Sequence, residues 1–158
     1  MERLWAPWRV GYITGEQKID GCLFCVTFGE RMDEENLILH RGETCFVIMN
    51  RYPYNNGHLM VVPIRHVGEV SGLTAEEQVE ILSLTGRCIT AITTVMHADG
   101  FNVGMNLGKV AGAGVADHLH LHIVPRWGGD TNFMPVLGET KVISEGLSET
   151  YKKLKGVF

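Results

Sequence analysis

Hydrophobic and polar positions along the chain change spacing several times, and the changes mark its elements. Cys45-Phe46-Val47-Ile48-Met49 is an uninterrupted apolar run of strand length. Arg51 to Gly57, with Pro53 and Asn55-Asn56-Gly57, is turn chemistry. His58-Leu59-Met60-Val61-Val62-Pro63 reads as the next strand, ended by proline, so the two runs form a hairpin. Thr74-Ala75-Glu76-Glu77 is a capping box, and it opens a helix predicted to reach about Ala98 with Gly100 as its stop. On that helix Glu76, Glu80, Ser83, Arg87, Thr90 and Thr94 share a polar stripe. Val79, Ile81, Leu82, Leu84, Cys88, Ile89, Ile92, Val95 and Met96 spread over roughly 220° of the remainder, wider than the stripe of a surface helix. That width predicts a second buried face, covered by a partner subunit.

Phe101 to Leu107 gives a further strand, and Gly108 to Gly114 a flexible Gly/Ala loop. His118-Leu119-His120-Leu121-His122-Ile123-Val124-Pro125 then alternates at the period of a strand. Neighbouring imidazoles on one face would stand about 6.6 Å apart, with the aliphatic residues on the other. Trp127 to Phe133 is turn-rich, and Ser144 to Lys155 reads as a terminal helix with Ser144 as its cap. Upstream, Leu4-Trp5-Ala6-Pro7-Trp8-Arg9 reads as an aromatic arm laid over the body. Cys22-Leu23-Phe24-Cys25 falls in a turn-rich stretch after Gly21, and Glu30 to Asn36 in an exposed turn or short helix. Hairpin strands with a long helix between two of them and a terminal helix predict an α+β domain on an antiparallel sheet. With no repeat or linker, residues 1–158 read as one domain, 1–20 being an arm and 126–158 an extension.

At 158 residues and 45% hydrophobic content the chain can bury a sizeable core. A formal net charge of −4 argues against a general nucleic-acid binder, but not against a small anionic substrate met by local fields and backbone N–H groups. No uninterrupted apolar run approaches the roughly 20 residues of a membrane helix. Of the four cysteines only Cys22 and Cys25 lie close together. That is not a disulfide framework, and it predicts a reducing, cytoplasmic setting.

Three readings of the alternating histidines follow from the residues. An imidazole can attack phosphorus and then leave, splitting one hard displacement into two easier ones. A flanking histidine would donate to the phosphoryl group, and backbone N–H groups of the glycine-rich loop, Gly112 and Gly114 among them, would meet its oxygens. Alternatively, three histidines on one face could hold a catalytic metal. The third reading is a structural metal or a binding module without chemistry. Cys22 and Cys25 suit half of a tetrahedral zinc site, the alternatives being a redox pair, which lacks the strand-then-helix context, or two small hydrophobes in a turn. If zinc binds, His118 and His66 are candidates for the other ligands, and His120 and His122 remain for chemistry.

His118-Leu-His120-Leu-His122-Ile-Val resembles the signature of the histidine triad nucleotide-binding family. The likeness extends to Asn50, to Gly57-His58-Leu-Met-Val-Val-Pro63, to the long helix and to Met105-Asn106. It implies a five-stranded antiparallel sheet with one long and one C-terminal helix, and a homodimer. It also implies attack by His120 on the α-phosphate of a nucleotide. His122 would contact that phosphate, Asn106 its oxygens or the leaving group, and Asn50 the ribose, while His58 orients the triad. Cys22, Cys25, His66 and His118 match the zinc site of cysteine-bearing members.

Leu4 to Arg9 and Pro125 to Phe133 resemble a bacterial branch that includes diadenosine tetraphosphate phosphorylases, also called ATP adenylyltransferases. The resemblance implies phosphorolysis of the dinucleotide to ATP and ADP. Fragile-histidine hydrolases place Gln where this chain has Gly114, and the phosphoramidase branch has Ser where it has Val115. Neither polar side chain is available here to assist water, which favours phosphate as acceptor. Hydrolysis of dinucleoside polyphosphates or phosphoramidates, and a non-catalytic nucleotide sensor, are the alternatives.

Overall fold

The computed structural model describes residues 21–132 and 141–158. The aromatic arm with Trp5 and Trp8, and Phe133, lie outside them. Five strands form one antiparallel sheet: β1 Ile38–Arg41, β2 Cys45–Met49, β3 Leu59–Pro63, β4 Gly100–Gly104 and β5 Leu121–Arg126. Their spatial order is β1-β2-β3-β5-β4. Among the described residues three α-helices accompany them: α1 Leu23–Gly29, α2 Ala75–Met96 and α3 Leu147–Lys155.

The β2–β3 hairpin pairs from Cys45↔Pro63 to Met49↔Leu59 with no slip, and every residue of both strands is buried. Continuous apolar runs, rather than alternation, are what a strand covered on both faces requires. On one face Val47, Leu59 and Val61 pack with Ile81, Leu84, Cys88 and Ile92 of α2. On the other, Phe46, Ile48, Met60 and Val62 pack with Phe24 of α1. Fully burying one such side chain stabilises the fold by about 1.5–3 kcal/mol.

The capping box of α2 forms as predicted: Thr74 Oγ1 accepts from Glu77 N at 3.2 Å and the Glu77 carboxylate from Thr74 N at 2.8 Å. The helix ends at Met96, earlier than expected. His97 takes the left-handed conformation (φ 52°, ψ 45°) and its N–H closes on Thr93 O, while Gly100 opens β4 instead of stopping the helix. Val79 and Leu82 are 70% and 69% exposed on the face away from the sheet. Glu80, placed on the polar stripe by spacing, accepts from the amides of Glu43, Thr44 and Cys45 and so holds the β1–β2 turn. By length and composition α2 could cross a membrane, which the uninterrupted-run criterion did not register; in this fold it lies on the sheet.

α3 begins at Leu147 with Gly146 as N-cap and no side-chain cap, so Ser144 is not the cap. Tyr151 Oη donates to Ile38 O at 3.1 Å and Lys155 Nζ to Leu39 O at 2.9 Å. The helix thereby covers the β1 edge. Two elements escaped the reading of the residues. α1 occupies the stretch expected to be a turn, and β1 is only four residues long with an irregular register between Ile38 and His40.

Candidate active site

The alternation of the histidine run holds, although its first half precedes the sheet. β5 begins at Leu121, so His118 and His120 lie in the approach and His122 lies in the ladder, opposite Met60 and Gly104. Leu119, Leu121 and Ile123 join the core beneath α2. The imidazoles line up on the α1 side: Phe24 meets the rings of His118 and His120 at 5.4 and 5.0 Å, and His120 meets His122 at 4.8 Å. All three are buried.

His118 Nε2 donates to Pro63 O at 2.8 Å, which leaves the lone pair on Nδ1. That nitrogen stands 3.2 Å from Cys22 Sγ and 3.6 Å from Cys25 Sγ. His66 Nδ1 lies 3.5 Å from Cys25 Sγ, and the four ligand atoms fall within 4.8 Å of one another. Burial, then the neighbouring Cys22, pushes the Cys25 thiol up, a penalty that a cation between two thiolates would remove. With Zn–S near 2.3 Å and Zn–N near 2.0 Å, ligand atoms of a tetrahedral zinc lie roughly 3.3–3.9 Å apart. The donor set fits such an ion and leaves no position open.

His66 arrives from a distant loop because Leu119 N donates to Val67 O at 2.7 Å. Gly68 permits the approach: a Cβ there would sit 3.0 Å from Asp117 O. Asp117 in turn places a carboxylate oxygen 3.6 Å from His66 Nε2, the kind of outer partner that orients a ligating imidazole.

His120 Nδ1 donates to His118 O at 2.9 Å, so the lone pair is on Nε2. Burial lowers the pKa of this imidazole against the opposing pull of that hydrogen bond, which favours the neutral, nucleophilic form.

A second chain of bonds fixes His122. Tyr54 N–H donates to His58 Nδ1 at 3.1 Å, and Asn50 Nδ2 points at the same atom from 3.4 Å. His58 must therefore carry its proton on Nε2, which lies 2.9 Å from His122 Nδ1. His122 accepts there and presents Nε2–H. The tautomer of a triad member is thus set by a backbone amide two steps away. Gly57, at φ +73° with Met96 Sδ only 2.8 Å from where a Cβ would stand, lets the chain turn into His58.

Asn106 leaves the ladder two residues beyond the Gly104↔His122 pair, at the end where His120 enters it. Gly112, at φ +91°, closes a short 3-10 turn, and Gly114 follows in an exposed bend. Asn50 Oδ1 accepts from Tyr52 N at 2.9 Å, so the carboxamide also holds its own turn. Sequence reasoning missed Phe24, Asp117 and the Tyr54 amide. Phe24 and Asp117 act on residues distant in sequence, His118 and His66, and the Tyr54 amide is a backbone group that no residue type marks.

The HIT domain pattern matches residues 31–129. AP-4-A phosphorylase of Mycobacterium tuberculosis is 41% identical over 161 aligned positions, covering 98% of this chain and 83% of that protein. Bis(5'-adenosyl)-triphosphatase of Dictyostelium discoideum is 32% identical, covering 63% of this chain and 66% of that protein. Among solved structures, a Zn-bound histidine triad family protein from Mycobacterium smegmatis superposes with a TM-score of 0.70 at 25% identity, covering 87% of this chain and 92% of that one. The sheet, the buried imidazole row and these likenesses lead to one assignment: the chain belongs to the HIT domain family.

Proposed function

We propose that this protein is a nucleotidyl transferase that cleaves diadenosine tetraphosphate by phosphorolysis through a nucleotidyl intermediate on His120. The observation that carries the reading is the His120 Nδ1–His118 O bond, which leaves Nε2 as a neutral nucleophile. Nε2 attacks the α-phosphorus, the P–N bond forms, and ATP departs with the bridging oxygen. Positive charge on the resulting imidazolium is shared with the His118 carbonyl. Inorganic phosphate then attacks the same phosphorus, displaces His120, and leaves as ADP, so the atoms of dinucleotide and phosphate are all accounted for. His122 Nε2–H donates to the phosphoryl oxygens as charge develops. Asn106 and the amides of Gly112 and Gly114 are assigned to phosphate oxygens or the leaving group, and Asn50 to the ribose, with His58 orienting His122.

The substrate assignment draws on the M. tuberculosis relative. Gly114 and Val115 support phosphate over water as acceptor, because neither offers a polar side chain to position water. Cys22, Cys25, His66 and His118 would hold zinc, which supplies a cross-link between α1, the His66 loop and the approach to β5. We assign the protein to the cytoplasm, in keeping with its free cysteines. We also assign a homodimer, built on the β4 edge and the exposed Val79 and Leu82 of α2. Incubation with diadenosine tetraphosphate, with and without phosphate, tests the reaction. ATP and ADP formed only with phosphate supports phosphorolysis; AMP and ATP means hydrolysis; no product at enzyme-like rates would leave a nucleotide sensor.

A further inference from the structure

We propose that Asp130, beyond the far end of β5 from His120, is a positioning residue for the histidine relay. It holds Asn55, and through Asn55 the Tyr54 amide that sets the tautomers of His58 and His122. The inference rests on the reading of His122 as the phosphate donor.

The side chain of Asp130 is only 6% exposed. Its Oδ2 accepts from Asn55 Nδ2 at 2.8 Å, from Arg126 Nε at 2.6 Å and from Trp127 N at 3.2 Å, and its Oδ1 accepts from Arg126 Nη2 at 2.9 Å. The Arg126 guanidinium holds this carboxyl well below the usual carboxylate range, so it accepts as an anion at any pH where the enzyme works. Asn55, itself buried, gives its amide to Pro125 O at 3.0 Å as well as to Asp130. Its own carbonyl accepts from His58 N at 3.2 Å.

Residues 51–57 join no strand, and several of their bonds close within the turn or on His58. Thr150 anchors the α3 side through Asn56 Oδ1 at 3.1 Å, and Arg51 reaches Glu35 O. Among the described residues Asn55 ties this turn to β5 through Pro125 O and to the segment beyond it through Asp130, and it adjoins Tyr54 in the chain. If the Asp130 half of that tie is lost, Asn55 is held by the Pro125 bond alone and the Tyr54 N–H can draw back from His58 Nδ1. With only the longer 3.4 Å approach of Asn50 Nδ2 left to oppose it, His58 can then protonate Nδ1 and accept on Nε2. His122 would answer by donating from Nδ1, turning a lone pair on Nε2 toward the phosphate oxygens in place of a proton. A neutral imidazole offers one donor and one acceptor, so the reversal passes along the pair intact.

The test compares Asp130→Ala, Asp130→Asn and Arg126→Lys by kinetics and by ¹⁵N NMR of the imidazoles without substrate. Asp130→Ala should lower kcat about 10- to 100-fold at a nearly unchanged KM, the scale seen when outer partners of site imidazoles are removed. Its His58 and His122 resonances should show mixed tautomers. Asp130→Asn keeps an oxygen for Asn55 and should restore most of the rate and the single tautomer. Arg126→Lys keeps the carboxylate and the Asn55 bond and should leave both unchanged. Should Asp130→Ala not fold, Asn55→Ala, which spares the Arg126 pair, carries the same two readouts. Wild-type tautomers, or a wild-type kcat, in the folded variant would overturn the proposal. Because the NMR is read without substrate, it is independent of whether His120 is adenylylated.

Discussion

The two ends of the histidine run are chemically alike in sequence and opposite in the fold. His118 and His122 stand two residues to either side of His120, each next to a leucine. At one end a carbonyl, Pro63 O, accepts from His118 Nε2–H, and the remaining lone pair faces two thiols. At the other end an imidazole proton from His58 occupies His122 Nδ1, and the remaining nitrogen is a donor. In the proposed function one end would hold a cation and the other would meet an anion. Residue type and spacing do not separate them; the partner on the second nitrogen does.

Substitutions that act on one part of the run should separate these roles. The largest effect is expected between the two ends: His120→Ala should cost about four orders of magnitude in kcat or more while substrate still binds, measured by turnover and by titration. Near-normal rates would remove the covalent step. At the anion end, His58→Phe keeps a ring but loses the proton offered to His122, and kcat should fall about 100-fold with a small change in KM.

At the cation end, the Cys22→Ser/Cys25→Ser protein should lose bound zinc, measured by elemental analysis, and its Tm should drop by about 10 °C. Activity should persist at a reduced level, because neither thiol is assigned to the phosphate. A fully active protein that never held metal would contradict the zinc assignment.

The gentlest probe is pH. Because burial lowers the His120 pKa, its neutral form should persist below the ordinary imidazole value of about 6.5. The acid limb of the adenylylation step in zinc-loaded protein should therefore lie below that value. The associated stability has the same sign: present above the unfolded-state pKa and lost as pH falls through the lowered folded one. An acid limb at or above the ordinary value would place His120 in a wetter environment.

Much of this was legible in the sequence because it is local. The capping box at Thr74, the hairpin signalled by Asn55-Asn56-Gly57 and the histidine alternation each fit within a few residues, and each forms. α1 was not legible: Leu23–Gly29 is short, its N-cap makes no side-chain bond, and Phe24 is buried only because the sheet is there to receive it. β1 was missed for a similar reason, having four residues with no alternation. The end of α2 was misplaced because His97, not a glycine, takes the left-handed position. At the site, Asn55 was read as a turn residue and Asp130 as part of a loop. Their bond joins positions 75 residues apart, and no pattern along the chain announces it.

The proposed reaction turns on a covalent bond at one nitrogen, Nε2 of His120. Protein incubated with diadenosine tetraphosphate in the absence of phosphate, quenched within a turnover and digested, should yield an adenylylated peptide. Fragmentation by mass spectrometry should place the adduct on His120, and added phosphate should release it as ADP. An adduct on another side chain, or none while product still accumulates, would contradict the account.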